Sequence, residues 1–303
     1  MTDQFDPGFV LRNSHVQTIG SSLFVRTPRL PASQRLELEC RDGIVLEAWH
    51  TPGPKGRVIL VHGWLGSAES SYIKMSAAEL LAEGYDIVRL NLRDHGNTAH
   101  LNEGMFNSAR LGEVVDACRA LAKQATALVG YSLGGNFALR VAAATGIPAL
   151  AICPPVDPEA SCQAIDNGSP VYRHYFLNKW RRALATKAAA YPDQYDFAQA
   201  MRYRSVLGLT EHFIGGLLPY ASASDYFSAY KLDAALLANA PVEIIAARDD
   251  PVIPASGFAA LNGKVDQTIT QYGGHCGYVP RDWLASKLIG FADRTVASRE
   301  PAS

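Results

Sequence analysis

Short runs of β-branched and aliphatic residues recur along the chain and alternate with stretches of helical periodicity. Eight runs predict strands, namely RLELEC, IVLEAWH, RVILVHG, DIVRLNL, TALVGYS, ALAICPP, VEIIAAR and QTITQYGGH. The first two flank Arg41-Asp42-Gly43, whose Asp-Gly step is typical of a β-hairpin turn. Three helical stretches lie between later strands, namely SYIKMSAAELLAEG, SARLGEVVDACRALAKQ and GGNFALRVAAATG. This alternation predicts an α/β fold with a mostly parallel central sheet flanked by helices.

The alternation stops after Cys153-Pro154-Pro155 and resumes at Val242. The intervening chain is rich in Ala, Tyr and basic residues and predicts a helical cap inserted before the strand VEIIAAR. We therefore expect an N-terminal segment, residues 1–34, that packs on the core. The core itself comprises residues 35–156 and 239–303, and the inserted cap comprises residues 157–238. We expect most of the cap's aromatic residues to form its own core, with an apolar acyl-binding wall as the alternative. We expect its basic cluster, at Lys179, Arg181, Arg182 and Lys187, to form a solvated helix face, with binding of an anionic head group as the alternative.

Composition narrows the class of protein. The 303 residues are 48% hydrophobic and 19% charged, which excludes a disordered chain. With 28 Lys and Arg against 29 Asp and Glu, there is no basic field that would favour binding of nucleic acid. The N-terminus has no basic segment typical of a secretory signal, and no stretch approaches the 18 apolar residues of a membrane span. We expect a soluble cytoplasmic protein, whose oligomeric state the sequence leaves open.

Cysteine and histidine spacing gives no sign of a metal site. The five cysteines are scattered without a C-x-x-C pair, which argues against both a disulfide framework and a zinc site. His95 and His100 lack any metal-binding spacing, so we expect them to be structural. Cys276 is expected to pack within its loop. We expect neither a metal nor another cofactor.

The strongest local motif is G-x-S-x-G at the junction between TALVG and the following helix. It comprises Gly130, Ser132 and Gly134. In a strand–turn–helix context, this motif is typical of a nucleophile elbow, a sharp turn that exposes the serine hydroxyl. A Cβ atom at either glycine would collide with neighbouring backbone in such a turn. Ser132 is therefore the candidate nucleophile.

A serine nucleophile needs a base, and on this scaffold the order is serine, acid, histidine. VEIIAARDDPVIP places Asp249 and Asp250 directly after a late strand. We favour Asp250, because the turn proline and Val-Ile that follow it direct it towards the site, while Asp249 would hold the loop. Among the eight histidines only His275 follows Asp250, and it lies in the glycine-rich loop QYGGHCGY. His275 is thus the candidate general base, oriented by Asp250.

Attack on a carbonyl also needs an oxyanion hole. The backbone N–H of Leu133, directly after the nucleophile, is one candidate donor. The other is expected from the loop HGWLGS after RVILV, where position favours Trp64.

These elements, in this order, resemble the α/β-hydrolase superfamily over about residues 35–155 and 240–296. The resemblance implies an α/β-hydrolase fold, triad roles for Ser132, Asp250 and His275, and oxyanion roles for Trp64 and Leu133. It also implies that the inserted helices cover the catalytic face.

A narrower resemblance lies near the N-terminus. FVLRNSHVQTI, from Phe9 to Ile19, resembles the N-H-x-Q-T signature of the YheT-like branch, which includes the abhydrolase-domain lipases. In RLNLRDHGNTAHLNEGMF this chain departs from the R-G-x-x-G segment common in that branch. The resemblance implies carboxylesterase, phospholipase or acyl-transferring esterase activity.

The motifs together predict a carboxylesterase-type serine hydrolase acting on a small-molecule ester through an acyl-enzyme. The acyl group would be short to medium in length or lipid-like. Acyl transfer and thioester hydrolysis would use the same residues. A non-catalytic binding protein on the same scaffold is the alternative from another class. A net charge near zero favours an uncharged or weakly charged ester.

Overall fold

The computed structural model describes residues 4–23 and 27–296, and its centre is an eight-stranded sheet. The strands are β1 (Gln34–Glu39), β2 (Val45–Thr51), β3 (Arg57–Val61), β4 (Asp86–Leu90), β5 (Thr126–Tyr131), β6 (Ala149–Ile152), β7 (Val242–Ala247) and β8 (Asp266–Thr270). Their order across the sheet is β1-β2-β4-β3-β5-β6-β7-β8. The β1–β2 hairpin and the β2–β4 pair are antiparallel, and every other pair is parallel. The mostly parallel sheet predicted from the sequence is confirmed.

Helices cover both faces of this sheet. They are α1 (Ser14–Leu23), α2 (Ser71–Ala82), α3 (Gly112–Leu121), α4 (Leu133–Thr145), α5 (Pro158–Asn167), α6 (Pro170–Ala190), α7 (Val206–Phe213), α8 (Ala223–Ser228), α9 (Ala234–Leu237) and α10 (Asp282–Thr295). Alternate residues of β5 face opposite cores, so Leu128 packs in the core with α3 and α4, and Val129 packs in the core with α2 and α10. Strands β3, β4, β5 and β6 are buried along their whole length, which explains why their sequences are mostly apolar.

Helices α5 to α9 occupy the chain between β6 and β7 and are called the inserted helices below. The first of them begins at Pro158, and the side chain of Asp157 caps it by accepting a hydrogen bond from the backbone N–H of Ala160 at 3.0 Å. The side-chain amide of Asn136 on α4 donates to the carbonyl oxygen of Tyr230 at 2.8 Å. This buried bond fixes the end of α8 against the helix that follows the candidate nucleophile.

The basic residues of α6 are not a solvated face, and that prediction is wrong. Lys187 is 1% exposed, and its ammonium group lies 2.9 Å from Asp94 Oδ1. Arg181 donates to the carbonyl oxygen of Tyr203 at 2.6 Å. Of the four residues, only Arg182 is exposed. Burial of Lys187 is possible because the Asp94 carboxylate and several backbone carbonyl groups replace its hydration.

The N-terminal residues form a short 3-10 turn at Phe9–Leu11 and then α1. Gln17 on α1 is fully buried and donates to the carbonyl oxygens of Leu11 at 2.9 Å and Val279 at 2.7 Å. Its Oε1 accepts the backbone N–H of Val279 at 2.7 Å. The side chain of Gln17 therefore ties α1 to the loop after β8. Across residues 4–23 and 27–296, none of the helices is both long enough and apolar enough to cross a membrane.

Candidate active site

Ser132 lies at the turn between β5 and α4, with φ 53° and ψ −123°. This left-handed conformation is strained for a residue with a side chain. A Cβ atom on Gly130 would lie 2.2 Å from the carbonyl oxygen of Gly134, and one on Gly134 would lie 2.3 Å from the carbonyl oxygen of His62. Glycine is therefore required at both positions for the turn to close. The sharp strand-to-helix turn expected from G-x-S-x-G is present in the fold.

Three side chains from distant parts of the sequence form a hydrogen-bonded chain. Nε2 of His275 lies 3.0 Å from Oγ of Ser132, and Nδ1 of His275 lies 2.9 Å from Oδ2 of Asp250. Since the carboxylate can only accept, Nδ1 carries the proton towards Asp250, and Nε2 is left to accept the Ser132 hydroxyl. Burial by itself lowers the pKa of His275, but the Asp250 carboxylate outweighs it and holds the pKa above its ordinary value.

The two neighbouring aspartates do different work. Oδ1 of Asp250 accepts the backbone N–H groups of Val252 at 2.8 Å and Ile253 at 2.9 Å, which fixes the carboxylate beside His275. Asp249 instead accepts the backbone N–H of Gly274 at 2.9 Å. Burial raises the pKa of Asp249. Asp249 thus contacts the loop that carries His275, while Asp250 contacts the imidazole itself.

The loop after β3 approaches the serine closely. A Cβ atom on Gly63 would lie 3.1 Å from that of Ser132. Leu65 has a positive φ of 58°, and its backbone N–H donates to Nε2 of His95 at 3.0 Å. Among the described residues, the backbone N–H groups of Trp64 and Leu133 have no hydrogen-bond acceptor. Two unpaired amides beside a serine are what an oxyanion hole requires, and their catalytic use stays a prediction.

Two buried histidines support this loop. His95 donates from Nδ1 to the carbonyl oxygen of Arg93 at 2.7 Å and accepts from Leu65 at Nε2, so its ring is neutral. Nε2 of His62 likewise accepts the backbone N–H of Leu92 at 3.1 Å. Burial lowers the pKa of both rings, that of His95 to about 4. Both rings act as neutral structural groups, and His100 is exposed.

Helix α1 contributes to the loop that carries His275, which the sequence did not predict. Oγ1 of Thr18 accepts the backbone N–H of His275 at 2.9 Å. A Cβ atom on Gly274 would lie 2.6 Å from the carbonyl oxygen of Ser14, and one on Gly277 would lie 2.3 Å from that of Gln17. The glycines around His275 therefore serve close packing against α1. The polar run Asn13–Thr18 was the available signal, but only the fold shows what it touches.

The fold also brings two distant cysteines to the site. Among the described residues, ligand atoms of Cys153, His275 and Cys276 lie within 4.8 Å of one another. The backbone N–H of Cys276 donates to Sγ of Cys153 at 3.4 Å, and both side chains are buried. Both ring nitrogens of His275 are already within hydrogen-bond distance of Ser132 and Asp250. We therefore assign the two sulfur atoms to packing beneath the loop.

Two cavities meet at the serine. The first, the apolar cavity, has a volume of about 130 Å³ and lies against the inserted helices, with walls that include Met105, Phe106, Ile165, Phe213, Leu218 and Phe227. The second, the histidine-side cavity, has a volume of about 330 Å³ and walls that include Thr18, Gly63, Tyr72, Tyr172, Lys179 and His275. Ser132, Trp64, Phe176 and Val252 line both. A substrate could therefore extend from Ser132 in two directions.

The family described as "Alpha/beta hydrolase family" matches residues 58–286 of the chain. The chain is 30% identical to "Putative esterase YheT" of Escherichia coli (strain K12), over 94% of this chain and 92% of that protein. It is 28% identical to "Putative esterase slr0264" of Synechocystis, over 78% of this chain and 75% of that protein.

Solved structures share the architecture at low sequence identity. Alpha/beta hydrolase GrgF from Penicillium sp. sh18 is 18% identical with a TM-score of 0.61, over 88% of this chain and 100% of that chain. The Pyrococcus furiosus esterase Pf2001 is 15% identical with a TM-score of 0.57, over 89% of this chain and 100% of that chain. At this identity the likeness concerns the fold alone.

Proposed function

The chain belongs to the alpha/beta hydrolase family, and on that premise we propose that it is a serine hydrolase that cleaves carboxylic esters through an acyl-enzyme. The esterase names of its relatives support hydrolase activity at the coarser level. The observation that carries the finer proposal is the hydrogen-bonded chain from Ser132 through His275 to Asp250, at 3.0 and 2.9 Å. These distances are the ones that a general base and its orienting acid need.

In the proposed acylation, Oγ of Ser132 attacks the ester carbonyl carbon and its proton passes to Nε2 of His275. Asp250 keeps the imidazole in the required tautomer and stabilises the imidazolium ion that forms. The backbone N–H groups of Trp64 and Leu133 donate to the oxyanion of the tetrahedral intermediate. When the intermediate collapses, the C–O bond breaks and Nε2 returns the proton to the leaving alcohol.

Deacylation repeats these steps with water as the nucleophile. His275 removes a proton from the water, the water oxygen attacks the acyl carbon, and Ser132 leaves as its alcohol. The proton balance over the two halves is zero, so the site needs no cofactor for this chemistry. An alcohol or a thiol in place of water would give acyl transfer from the same intermediate.

The positions of the two cavities indicate which part of the substrate each would bind. His275 must protonate the leaving alcohol, and it lines the histidine-side cavity but not the apolar cavity. The leaving group therefore belongs on the histidine side, and the acyl chain belongs in the apolar cavity. A volume of about 130 Å³ with apolar walls favours a short- to medium-chain acyl group.

The inserted helices supply most of the apolar cavity's outer wall. Phe213 is the last residue of α7, Leu218 lies in the loop after it, and Phe227 lies on α8. We propose that these helices act as a cap that excludes water from the acyl-enzyme and sets the acyl length. Bound acyl carbon atoms would replace contacts with water by contacts with these aromatic rings.

A fluorophosphonate probe, which labels activated serines, tests this function. We expect a single adduct at Ser132, located by peptide mass spectrometry, and hydrolysis of short-chain 4-nitrophenyl esters. The Ser132→Ala variant should lose both. Ser161→Ala is the matched control, because Ser161 lines the same apolar cavity but its hydroxyl donates to the carbonyl oxygen of Asp157.

Full ester hydrolysis by Ser132→Ala would overturn the proposed mechanism. Absence of any adduct at Ser132 in the folded protein would overturn the enzyme assignment and favour a binding protein on a hydrolase scaffold. A series of 4-nitrophenyl esters from two to twelve acyl carbons would then locate the preferred acyl length. An added alcohol acceptor would separate hydrolysis from acyl transfer, because transfer forms a new ester.

A further inference from the structure

The histidine-side cavity contains one cation and no carboxylate. Among the described residues that line it, only Lys179 carries a fixed charge. The residues that line this cavity also include three with hydroxyl groups, Thr18, Ser70 and Tyr72. Lys179 therefore gives the leaving-group side a positive charge, whereas none of the described residues lining the apolar cavity is charged.

Lys179 contacts the loop after β3. Its Nζ donates to the carbonyl oxygen of Leu65 at 3.0 Å and lies 5.1 Å from the centre of the Tyr175 ring. Leu65 directly follows Trp64, the candidate oxyanion residue, and Lys179 and Ser132 line the same cavity. An ammonium group has three N–H donors, and the Leu65 carbonyl uses one of them.

Lys179 differs from Lys187, the buried lysine of the same helix. Lys187, two turns further along α6, is paired with Asp94. Within residues 4–23 and 27–296, Lys179 has no carboxylate within ion-pair distance, although it is only partly exposed. Among these residues the ammonium group of Lys179 thus has no acidic partner, and an anion bound in the cavity would supply one.

We propose that the alcohol portion of the substrate carries an anionic group, a carboxylate or a phosphate, that binds the ammonium group of Lys179. This inference rests on the proposed function, since the mechanism is what assigns the leaving alcohol to this cavity. Lys179 acts as a specificity-determining residue. The uncharged or weakly charged ester expected from the net charge of the chain is replaced by an ester with an uncharged acyl end and a negative alcohol end.

Matched esters test this proposal. The probes are 4-(butanoyloxy)benzoate, its uncharged methyl ester, and 4-(butanoyloxy)phenyl phosphate. All three carry the same butanoyl group. The protein should hydrolyse the two anionic probes with the higher kcat/KM, and their relative rates distinguish carboxylate from phosphate. Lys179→Met should lower the ratio of anionic to uncharged kcat/KM about tenfold, the usual size of a charge-assisted hydrogen bond.

The ratio of anionic to uncharged kcat/KM distinguishes binding of the anionic group by Lys179 from support of the loop at Leu65. Loss of the Leu65 contact in Lys179→Met would slow all three probes together and cancel in the ratio. Lys179→Arg should keep most of the preference, because it keeps the charge. Arg182→Gln, which removes an exposed cation from the same helix, is the control and should leave the ratio unchanged.

Two results would overturn the inference while leaving the proposed function intact. One is equal kcat/KM for anionic and uncharged probes in the unaltered protein. The other is an unchanged ratio in Lys179→Met with a uniform loss of rate, which would make Lys179 a support for the Leu65 loop only. Failure to hydrolyse any of the probes, with no fluorophosphonate adduct, would instead overturn the proposed function and the inference with it.

Discussion

Asp250 accepts a hydrogen bond from Nδ1 of His275 at 2.9 Å, whereas the adjacent Asp249 binds the backbone of the same loop at Gly274. The two side chains are chemically identical and one residue apart, so they form a natural matched pair. Replacing either with asparagine keeps its size and removes its charge. The difference between the two variants therefore isolates contact with the imidazole.

We expect Asp250→Asn to lower kcat for ester hydrolysis by about 10³- to 10⁴-fold, because an amide no longer holds the productive tautomer of His275. Asp249→Asn should lower kcat by less than about tenfold, since Asp249 contacts the loop and not the ring. Steady-state kinetics on a short-chain 4-nitrophenyl ester measures both. Comparable losses in the two variants would contradict the assignment of Asp250 as the acid.

The pH dependence of kcat/KM should follow His275. Only the neutral imidazole can accept the Ser132 proton, so activity should rise with pH. The midpoint should lie above 6.5, because the Asp250 carboxylate more than offsets the effect of burial on the pKa of His275. In Asp250→Asn the residual activity should show a lower midpoint, since burial then acts without the opposing charge. A midpoint that is unchanged or higher in that variant would be inconsistent with this pairing.

Lys187 should be important for stability. Lys187→Met would leave the mostly buried Asp94 carboxylate without its cation, and the free energy of unfolding should fall by about 3–5 kcal/mol. The matched control is Lys231→Met, which breaks the exposed ion pair with Asp157 and should cost less than about 1 kcal/mol. Urea denaturation followed by circular dichroism measures both. Equal small losses would mean that water hydrates the Lys187 site.

Thr18 should affect catalysis more than stability. Thr18→Val keeps the shape of the side chain but leaves the backbone N–H of His275 without its acceptor, so the histidine loop should lose its fixed position. We expect a fall in kcat of about tenfold with KM nearly unchanged. Thr186→Val is the control. The hydroxyl groups of Thr18 and Thr186 both donate to the carbonyl oxygen four residues earlier in a helix, but Thr186 is exposed on α6. Equal kcat values for the two variants would refute a positioning role for Thr18.

The regular elements could be predicted from the sequence because their causes are local. Buried parallel strands need mostly apolar runs, and helices need an apolar face with a period near 3.6, so both patterns are visible without the fold. The turn around Ser132 is also visible in the sequence, because the G-x-S-x-G motif marks it. Its two glycines are dictated by clashes with backbone no more than five residues away or in the adjoining strand.

Charge environments could not be predicted in the same way. Lys179 and Lys187 lie eight residues apart on one helix and look alike in the sequence. One borders the histidine-side cavity and the other forms a buried ion pair with Asp94, 93 residues away. A basic helix face indicates solvent only where no other element packs on it, and the residues that pack on α6 are distant in the chain.

The sequence by itself determined the α/β architecture, the sharp turn at Ser132 and the order of the candidate triad, because strand pattern, glycine spacing and chain order are all present in the sequence before it folds. Only the tertiary structure decided which aspartate contacts His275, that α1 holds the histidine loop through Thr18, and that the site opens into two chemically different cavities. Those features depend on contacts between residues 25 positions apart for Asp250 and His275 and 257 apart for Thr18 and His275, which form only when the chain has folded.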